Sequence, residues 1–78
     1  MPVNAYVLIQ TEVGKSADVT RQVRSIEGVV TAADVTGPYD VIACVEARSV
    51  DQLGKLVVSK MQRIEGITRT VTCPIVKL

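Results

Sequence analysis

The stretch Val-Asn-Ala-Tyr-Val at residues 3–7 returns 38 positions later as Val-Ile-Ala-Cys-Val at residues 41–45. The same shift places Ile-Glu-Gly at residues 26–28 on Ile-Glu-Gly at residues 64–66, and the two halves share seven identities in all. Each half begins with an alternating apolar run, continues with helical periodicity and ends with a second apolar run. The repeat therefore predicts two strand–helix–strand units, which together form one βαββαβ domain of the α+β class.

The alternation predicts four strands, at residues 3–10, 29–36, 39–47 and 67–75. A turn at Gly37-Pro38 joins the second strand to the third, and both strand–helix–strand crossings should be right-handed. These rules give a ferredoxin-like sandwich, in which an antiparallel sheet of order 4-1-3-2 carries both helices on one face. Ser16 and Ser49 are the expected N-caps of the two helices. Gly28 is expected at the C′ position that ends the first helix.

Length and composition favour a single domain over residues 1–78, without a DNA-binding domain. The net charge is +1, no block of like charges occurs and only two aromatic residues are present, so direct nucleic-acid binding is not expected. No signal peptide or membrane-length apolar segment is evident, which predicts a cytoplasmic protein without membrane contact. The chain has no histidine, and its two cysteines are far apart, so neither a metal nor another cofactor is expected.

One face of the predicted sheet has no helix to cover it. The alternation puts four side chains on that open face, namely Tyr6, Leu8, Ile42 and Cys44. An exposed apolar patch usually marks an interface, so we expect a homodimer that packs sheet on sheet through these residues. The cysteines themselves are predicted to be small buried apolar residues rather than a disulfide pair.

Catalytic chemistry is poorly represented in the chain. General acid–base catalysis uses histidine or converging carboxylates, whereas the eight carboxylates here are dispersed. No nucleophile–base pair and no glycine-rich phosphate loop can be assembled, so the chain is not expected to be an enzyme.

Two groups of polar residues are candidates for a ligand site. In the hairpin, Gly37 exposes its backbone, Tyr39 offers a wall and a hydroxyl, and Asp40 offers a carboxylate for an ammonium group. In the last strand, Thr70 and Thr72, with Thr68, should project from the open face as a row of hydroxyl groups. The alternative is that the hairpin is only a turn and that the threonines only reflect strand propensity.

At these residues the chain resembles the effector-binding (RAM) domain of the Lrp/AsnC family. The resemblance covers nearly the whole chain and rests on the apolar run at residues 5–9, on Gly-Pro-Tyr-Asp at 37–40 and on Ile-Glu-Gly-Ile-Thr-Arg-Thr-Val-Thr at 64–72. Because the family's usual helix-turn-helix domain does not precede the first strand, the chain looks like a stand-alone version.

The resemblance implies a function in transcription regulation through amino-acid binding. Family members form sheet-to-sheet dimers that assemble into octamer-like rings, and they bind amino acids or related metabolites in clefts between dimers. By analogy, Gly37, Tyr39, Asp40, Thr70 and Thr72 would contact the ligand, and a full-length Lrp/AsnC relative is a candidate partner. Two alternatives stay open, another ferredoxin-like regulatory module of the ACT type and a small dimeric ferredoxin-like enzyme.

Overall fold

The computed structural model describes residues 2–76, so Met1, Lys77 and Leu78 of the predicted domain lie outside the described residues. Four strands are present, β1 (Val3–Thr11), β2 (Val29–Asp34), β3 (Val41–Ala47) and β4 (Ile67–Pro74). They form one antiparallel sheet of order β2-β3-β1-β4, which confirms the predicted order. Helix α1 (Ser16–Arg24) follows β1, and helix α2 (Val50–Lys55) follows β3 and continues into a π-helical segment (Leu56–Met61).

The core lies between the two helices and one face of the sheet. Its strand residues are those that the alternation predicts, and six of them have no solvent exposure: Ala5, Val7, Ile9, Val41, Ala43 and Val45. The helical side is contributed by Val19, Val23, Leu53, Val57 and Met61. Both helices therefore cover the same face of the sheet, and the apolar side chains between them exclude water. Within residues 2–76, no helix is long and apolar enough to cross a membrane.

The helix ends differ in part from the predicted ones. Ser49 is the N-cap of α2, as predicted, and its hydroxyl accepts a hydrogen bond from the Gln52 N–H at 3.1 Å. Lys15, not Ser16, is the N-cap of α1 and makes no side-chain capping bond. Helix α1 also ends at Arg24, so Gly28 is not its C′ residue but lies in the turn that leads into β2.

The second helix departs from the regular α-helix that its sequence predicts. Its buried residues Leu53, Val57 and Met61 are spaced by four, whereas an α-helix has 3.6 residues per turn. In the π-helical segment the Gln62 N–H donates to the Val57 carbonyl, which is the wider i→i+5 bond. The wider turn keeps side chains that are four positions apart close to the same face, so all three reach the core.

The two Ile-Glu-Gly turns have matching structures. Gly28 and Gly66 each have φ +100°, which favours glycine. The Gly28 carbonyl accepts the Glu46 N–H at 2.8 Å, and the Gly66 carbonyl accepts the Glu12 N–H at 2.8 Å. A Cβ on Gly66 would lie 3.3 Å from Val19 of α1, and one on Gly28 would collide with Leu56 after α2. Each turn thus packs against the helix of the other half.

Candidate functional site

The open face of the sheet contains all four residues predicted for it. Tyr6 is paired with Cys44 of β3, and Leu8 is paired with Ile42 of the same strand. Residues that pair directly across antiparallel strands project from the same face, and these four alternate with the buried residues of β1 and β3. Tyr6 is 48% exposed, and the other three are half-buried. Both helices pack on the opposite face, so these side chains form a continuous surface across the central strands.

Strand β4 extends this open face in a way that the sequence analysis missed. Val71 is paired with Leu8, and Cys73 is paired with Tyr6. A row of apolar side chains therefore runs from Ile42 through Leu8 to Val71. The sequence shows that Val71 alternates with the threonines, so it lies on the opposite face from them. Only the register with β1 determines which of the two faces that is.

The two cysteines have different environments. Cys44 is half-buried, whereas Cys73 is exposed, so the prediction that both are buried is wrong for Cys73. The register places Tyr6 between them on the open face. Both thiols are free. Cys73 lies near the end of β4, which is an edge strand of the sheet formed by the described residues.

The predicted hairpin is a loop of six residues between β2 and β3. Strand β3 begins at Val41 rather than at Tyr39. The Val35 N–H donates to the Asp40 carbonyl at 2.9 Å and closes the loop, while the Asp40 N–H donates to the Ile9 carbonyl at 2.9 Å. The loop is therefore fixed to the end of β1. Gly37 is exposed with φ +133°, and Tyr39 is half-buried.

The Asp40 carboxylate has a defined structural function in this loop. Its Oδ2 accepts the Thr11 N–H at 2.8 Å and the Thr11 hydroxyl at 3.3 Å. Gln10 adds a second tie, since its Nε2 donates to the Pro38 carbonyl at 3.1 Å. Within residues 2–76, no side-chain hydrogen bond to Oδ1 is found, so one carboxylate oxygen holds the loop and the other stays available.

Thr70 and Thr72 lie on the helix-covered side of the sheet, which corrects the prediction that they project from the open face. Thr70 is paired with Ile9 and Thr72 with Val7, and both of these partners are fully buried on the core side. Thr68 is the extra residue of a β-bulge opposite Gln10 and Thr11, so the alternation ends there. Both paired threonines are half-buried at the sheet edge.

A polar cleft accompanies Thr70 at this edge. The side-chain amide of Gln62, the residue after the π-helical segment, donates to the Thr70 hydroxyl at 2.9 Å. The cleft has a volume of about 300 Å³ and is lined by Gln62, Ile67, Thr68, Arg69 and Thr70. A larger groove of about 440 Å³ lies between the first Ile-Glu-Gly turn, the end of β3 and helix α2, and it is lined by none of the predicted ligand residues.

The five predicted ligand residues fall into two groups in one protomer. Gly37, Tyr39 and Asp40 belong to the loop at the end of β1, on its β3 side. Thr70 and Thr72 lie across β1, on the helix side of β4. No hydrogen bond joins the two groups among the described residues. Strand β1 therefore separates the two groups within one protomer.

The chain is similar to a known domain over nearly its whole length. The model of the Lrp/AsnC ligand binding domain matches residues 4–77. An uncharacterised helix-turn-helix-type transcriptional regulator of Pyrococcus furiosus is 32% identical over 71 residues, which are 87% of this chain and 47% of that protein. A homocitrate synthase of Sulfolobus acidocaldarius is 30% identical over 97% of this chain, but the match covers 17% of the synthase.

Among solved structures, TTHA0845 from Thermus thermophilus has a TM-score of 0.92 and 28% identity, with 97% of this chain and 95% of that chain covered. By contrast, this chain spans less than half the length of the helix-turn-helix regulators it matches. The same domain thus occurs both as nearly all of a solved chain and as one part of longer proteins.

Proposed function

The chain belongs to the Lrp/AsnC ligand binding domain family, and from this membership we propose that it binds an amino acid or a related metabolite between protomers. The bound ligand changes the assembly of the protomers or the activity of a partner, so the proposed function is regulatory rather than catalytic. Its similarity to helix-turn-helix-type regulators supports a function in transcription regulation. This module would contribute to that function without touching DNA, and its candidate partner is a full-length member of the same family.

The observation that carries the proposal is the uncovered apolar row on the open face. Ile42, Leu8 and Val71 are adjacent on three neighbouring strands, and the helices lie on the other side of the sheet. Two sheets that face each other bury such rows in a layer about 10 Å thick. A second copy of the chain supplies a matching surface by two-fold symmetry, which is the commonest arrangement in homo-oligomers. Such dimers would then assemble further into a ring.

The division of the ligand residues also supports a site between protomers. Asp40 lies in the loop of one protomer, and its Oδ1 accepts no side-chain hydrogen bond within residues 2–76, whereas the threonines of that protomer lie across β1. An α-amino acid carries an ammonium group and a carboxylate, so it can join groups of opposite character from two chains. Ligand binding would then stabilise the assembly by mass action, because the unfolded chain has no site.

A thermal-shift screen with the twenty amino acids, combined with light scattering, tests the proposal. We expect a dimer or a larger assembly and a midpoint that rises with the concentration of one or a few amino acids. A ligand at 100 times its dissociation constant would add about 2.7 kcal/mol to the free energy of unfolding. A monomer whose midpoint no amino acid raises at millimolar concentration would contradict the proposal.

A second candidate function is regulation of an enzyme, which the match to part of a homocitrate synthase favours. It uses the same ligand site and differs only in the partner. If the module controls an enzyme, the ligand found in the screen should change the turnover of that enzyme when the two proteins are mixed. If it controls transcription, the ligand should change the DNA affinity of a mixed assembly with a helix-turn-helix relative.

A further inference from the structure

We propose that the groove between the first Ile-Glu-Gly turn, the end of β3 and the second helix is a binding site for a small dicarboxylate. This inference goes beyond the proposed function, because the groove lies within one protomer and contains none of the predicted ligand or interface residues. Its volume of about 440 Å³ is in the size range of small-molecule sites. The charged side chains along its walls indicate the class of ligand.

One wall of the groove is formed by α2 and the π-helical segment. Leu56 lies where the two meet, and its Cδ1 is 2.6 Å from the position that a Cβ on Gly28 would take. This close approach holds the helix against the Ile-Glu-Gly turn and gives the groove an apolar contact on its helical side. The polar residues of this wall are all exposed, and they are Gln52, Lys55, Ser59 and Lys60.

The opposite wall adds a third cation and only one carboxylate. Glu46 is paired with Asn4 and alternates with the buried Val45, so its carboxylate projects from the open face. It borders the groove through its backbone, where its N–H donates to the Gly28 carbonyl at 2.8 Å. Two positive charges therefore remain uncompensated, because the charged side chains of the groove are Arg48, Lys55 and Lys60 against Glu27.

Among the residues that the structure describes, the three cations of the groove form no ion pair and no side-chain hydrogen bond. The Gln52 amide and the Ser59 hydroxyl likewise donate to no protein group there. The cations of α1 differ, since Arg21 pairs with Asp18 at 2.8 Å and Arg24 donates to a β2 carbonyl at 3.0 Å. The groove thus holds donors whose acceptors the described protomer does not supply. A carboxylate accepts several such bonds at once, and charge-assisted bonds are stronger than neutral ones.

The cations are spread along the groove rather than gathered at one point. Arg48 precedes α2, Lys55 is the last residue of α2, and Lys60 lies five positions further along. At a rise of about 1.5 Å per residue, the two lysines are about 7 Å apart along the helix axis. One carboxylate cannot contact all three cations closely, whereas two carboxylates joined by a short carbon chain can reach different ones. The carbon chain has Leu56 as its apolar contact.

The test uses two matched pairs of variants of the full chain. Arg48→Gln and Lys55→Gln each remove one cation of the groove. Arg63→Gln and Lys15→Gln make the same changes at residues that do not line it, and they are the controls. All four positions are exposed, so the variants should fold, which far-UV circular dichroism checks.

Binding is measured by amide NMR titration with succinate at constant ionic strength, and with succinamide as the uncharged molecule of the same shape. We expect saturable shifts of residues 27–28 and 46–48 with succinate and none with succinamide. Each groove variant should weaken succinate binding at least fivefold, whereas each control variant should bind within twofold of the wild type. Because one protomer holds the whole groove, the affinity should be equal at protein concentrations where light scattering reports a monomer and where it reports an assembly.

Several outcomes would overturn the site. They are the absence of a saturable shift at the groove, an equal response to succinamide, and a control variant that weakens binding as much as its groove counterpart. Binding that is lost on dilution to the monomer would also overturn it. Inorganic phosphate, titrated in parallel, should bind more weakly than succinate, and tighter binding of phosphate would overturn the assignment of two separated carboxylates. None of these outcomes changes the proposed function, which depends on amino-acid binding between protomers.

Discussion

The two faces of the sheet are built by the same strands, yet the helices of the protomer cover only one of them. In β1, Val7 and Ile9 have no solvent exposure, while their neighbour Tyr6 is 48% exposed and Leu8 is half-buried. Adjacent residues of one strand therefore serve different purposes. The helix-covered face supplies the stability of the fold, whereas the open face is the surface that we propose for association.

Ile9→Ala tests the helix-covered face and should have the largest effect. Ile9 is fully buried, so the truncation removes apolar contacts and leaves a cavity. We expect the free energy of unfolding to fall by about 2–5 kcal/mol, measured by urea denaturation followed by circular dichroism. Leu8→Ala, one residue away on the open face, should cost the isolated protomer clearly less. Equal losses would show that the two faces contribute alike to the protomer.

Asp40→Ala tests the loop that is fixed to the end of β1, and its effect on stability should lie between those of Ile9→Ala and Leu8→Glu. The change leaves the half-buried Thr11 N–H without its acceptor, which should cost about 1–3 kcal/mol. Asp40→Asn retains an acceptor oxygen and is the control for the loop. If Asp40 also binds an ammonium group, Asp40→Asn should keep most of the stability but lose amino-acid affinity in calorimetry. Wild-type stability in Asp40→Ala would contradict the structural function of the carboxylate.

Leu8→Glu tests the open face and should have the smallest effect on the protomer. A half-exposed position can hydrate a carboxylate, so we expect a loss of about 1 kcal/mol or less at dilutions where subunits are separate. The assembly should dissociate, because a charge in an apolar sheet-to-sheet layer is unpaired. Light scattering measures the mass. Val50→Glu, at a valine that is 68% exposed on α2, is the matched control and should leave the mass unchanged. An unchanged mass in Leu8→Glu would remove this face from the interface.

The comparison of the faces also explains which features the sequence could predict. Strict alternation in β1 and β3, repeated at a fixed shift, determines which residues share a face, and the crossing rules determine the strand order. Both predictions are confirmed. The prediction that Thr70 projects from the open face is wrong, because alternation shows only which residues share a face and not which face it is. The pairing of Thr70 with Ile9 determines which side it is.

The remaining differences arise from contacts between distant parts of the chain. Asp40 and Thr11 are 29 positions apart, and no local pattern predicts that one caps the other. The Gln62–Thr70 bond depends on where the π-helical segment ends, and the apolar spacing alone does not distinguish that segment from an α-helix. Sequence patterns can therefore indicate individual candidate ligand residues, whereas the positions of these residues relative to one another depend on the fold.

The matching Ile-Glu-Gly turns have a consequence for how the chain gains its structure. Each turn contacts the helix of the other half, and the central pair of strands takes β1 from one half and β3 from the other. Neither half could keep its order alone, since it would lack both a strand neighbour and the surface that receives its turn. The repeat therefore does not mark two separate folding units, and the two halves are expected to unfold together as one cooperative unit. Cleavage between Gly37 and Pro38 would give two fragments that become ordered only on meeting each other.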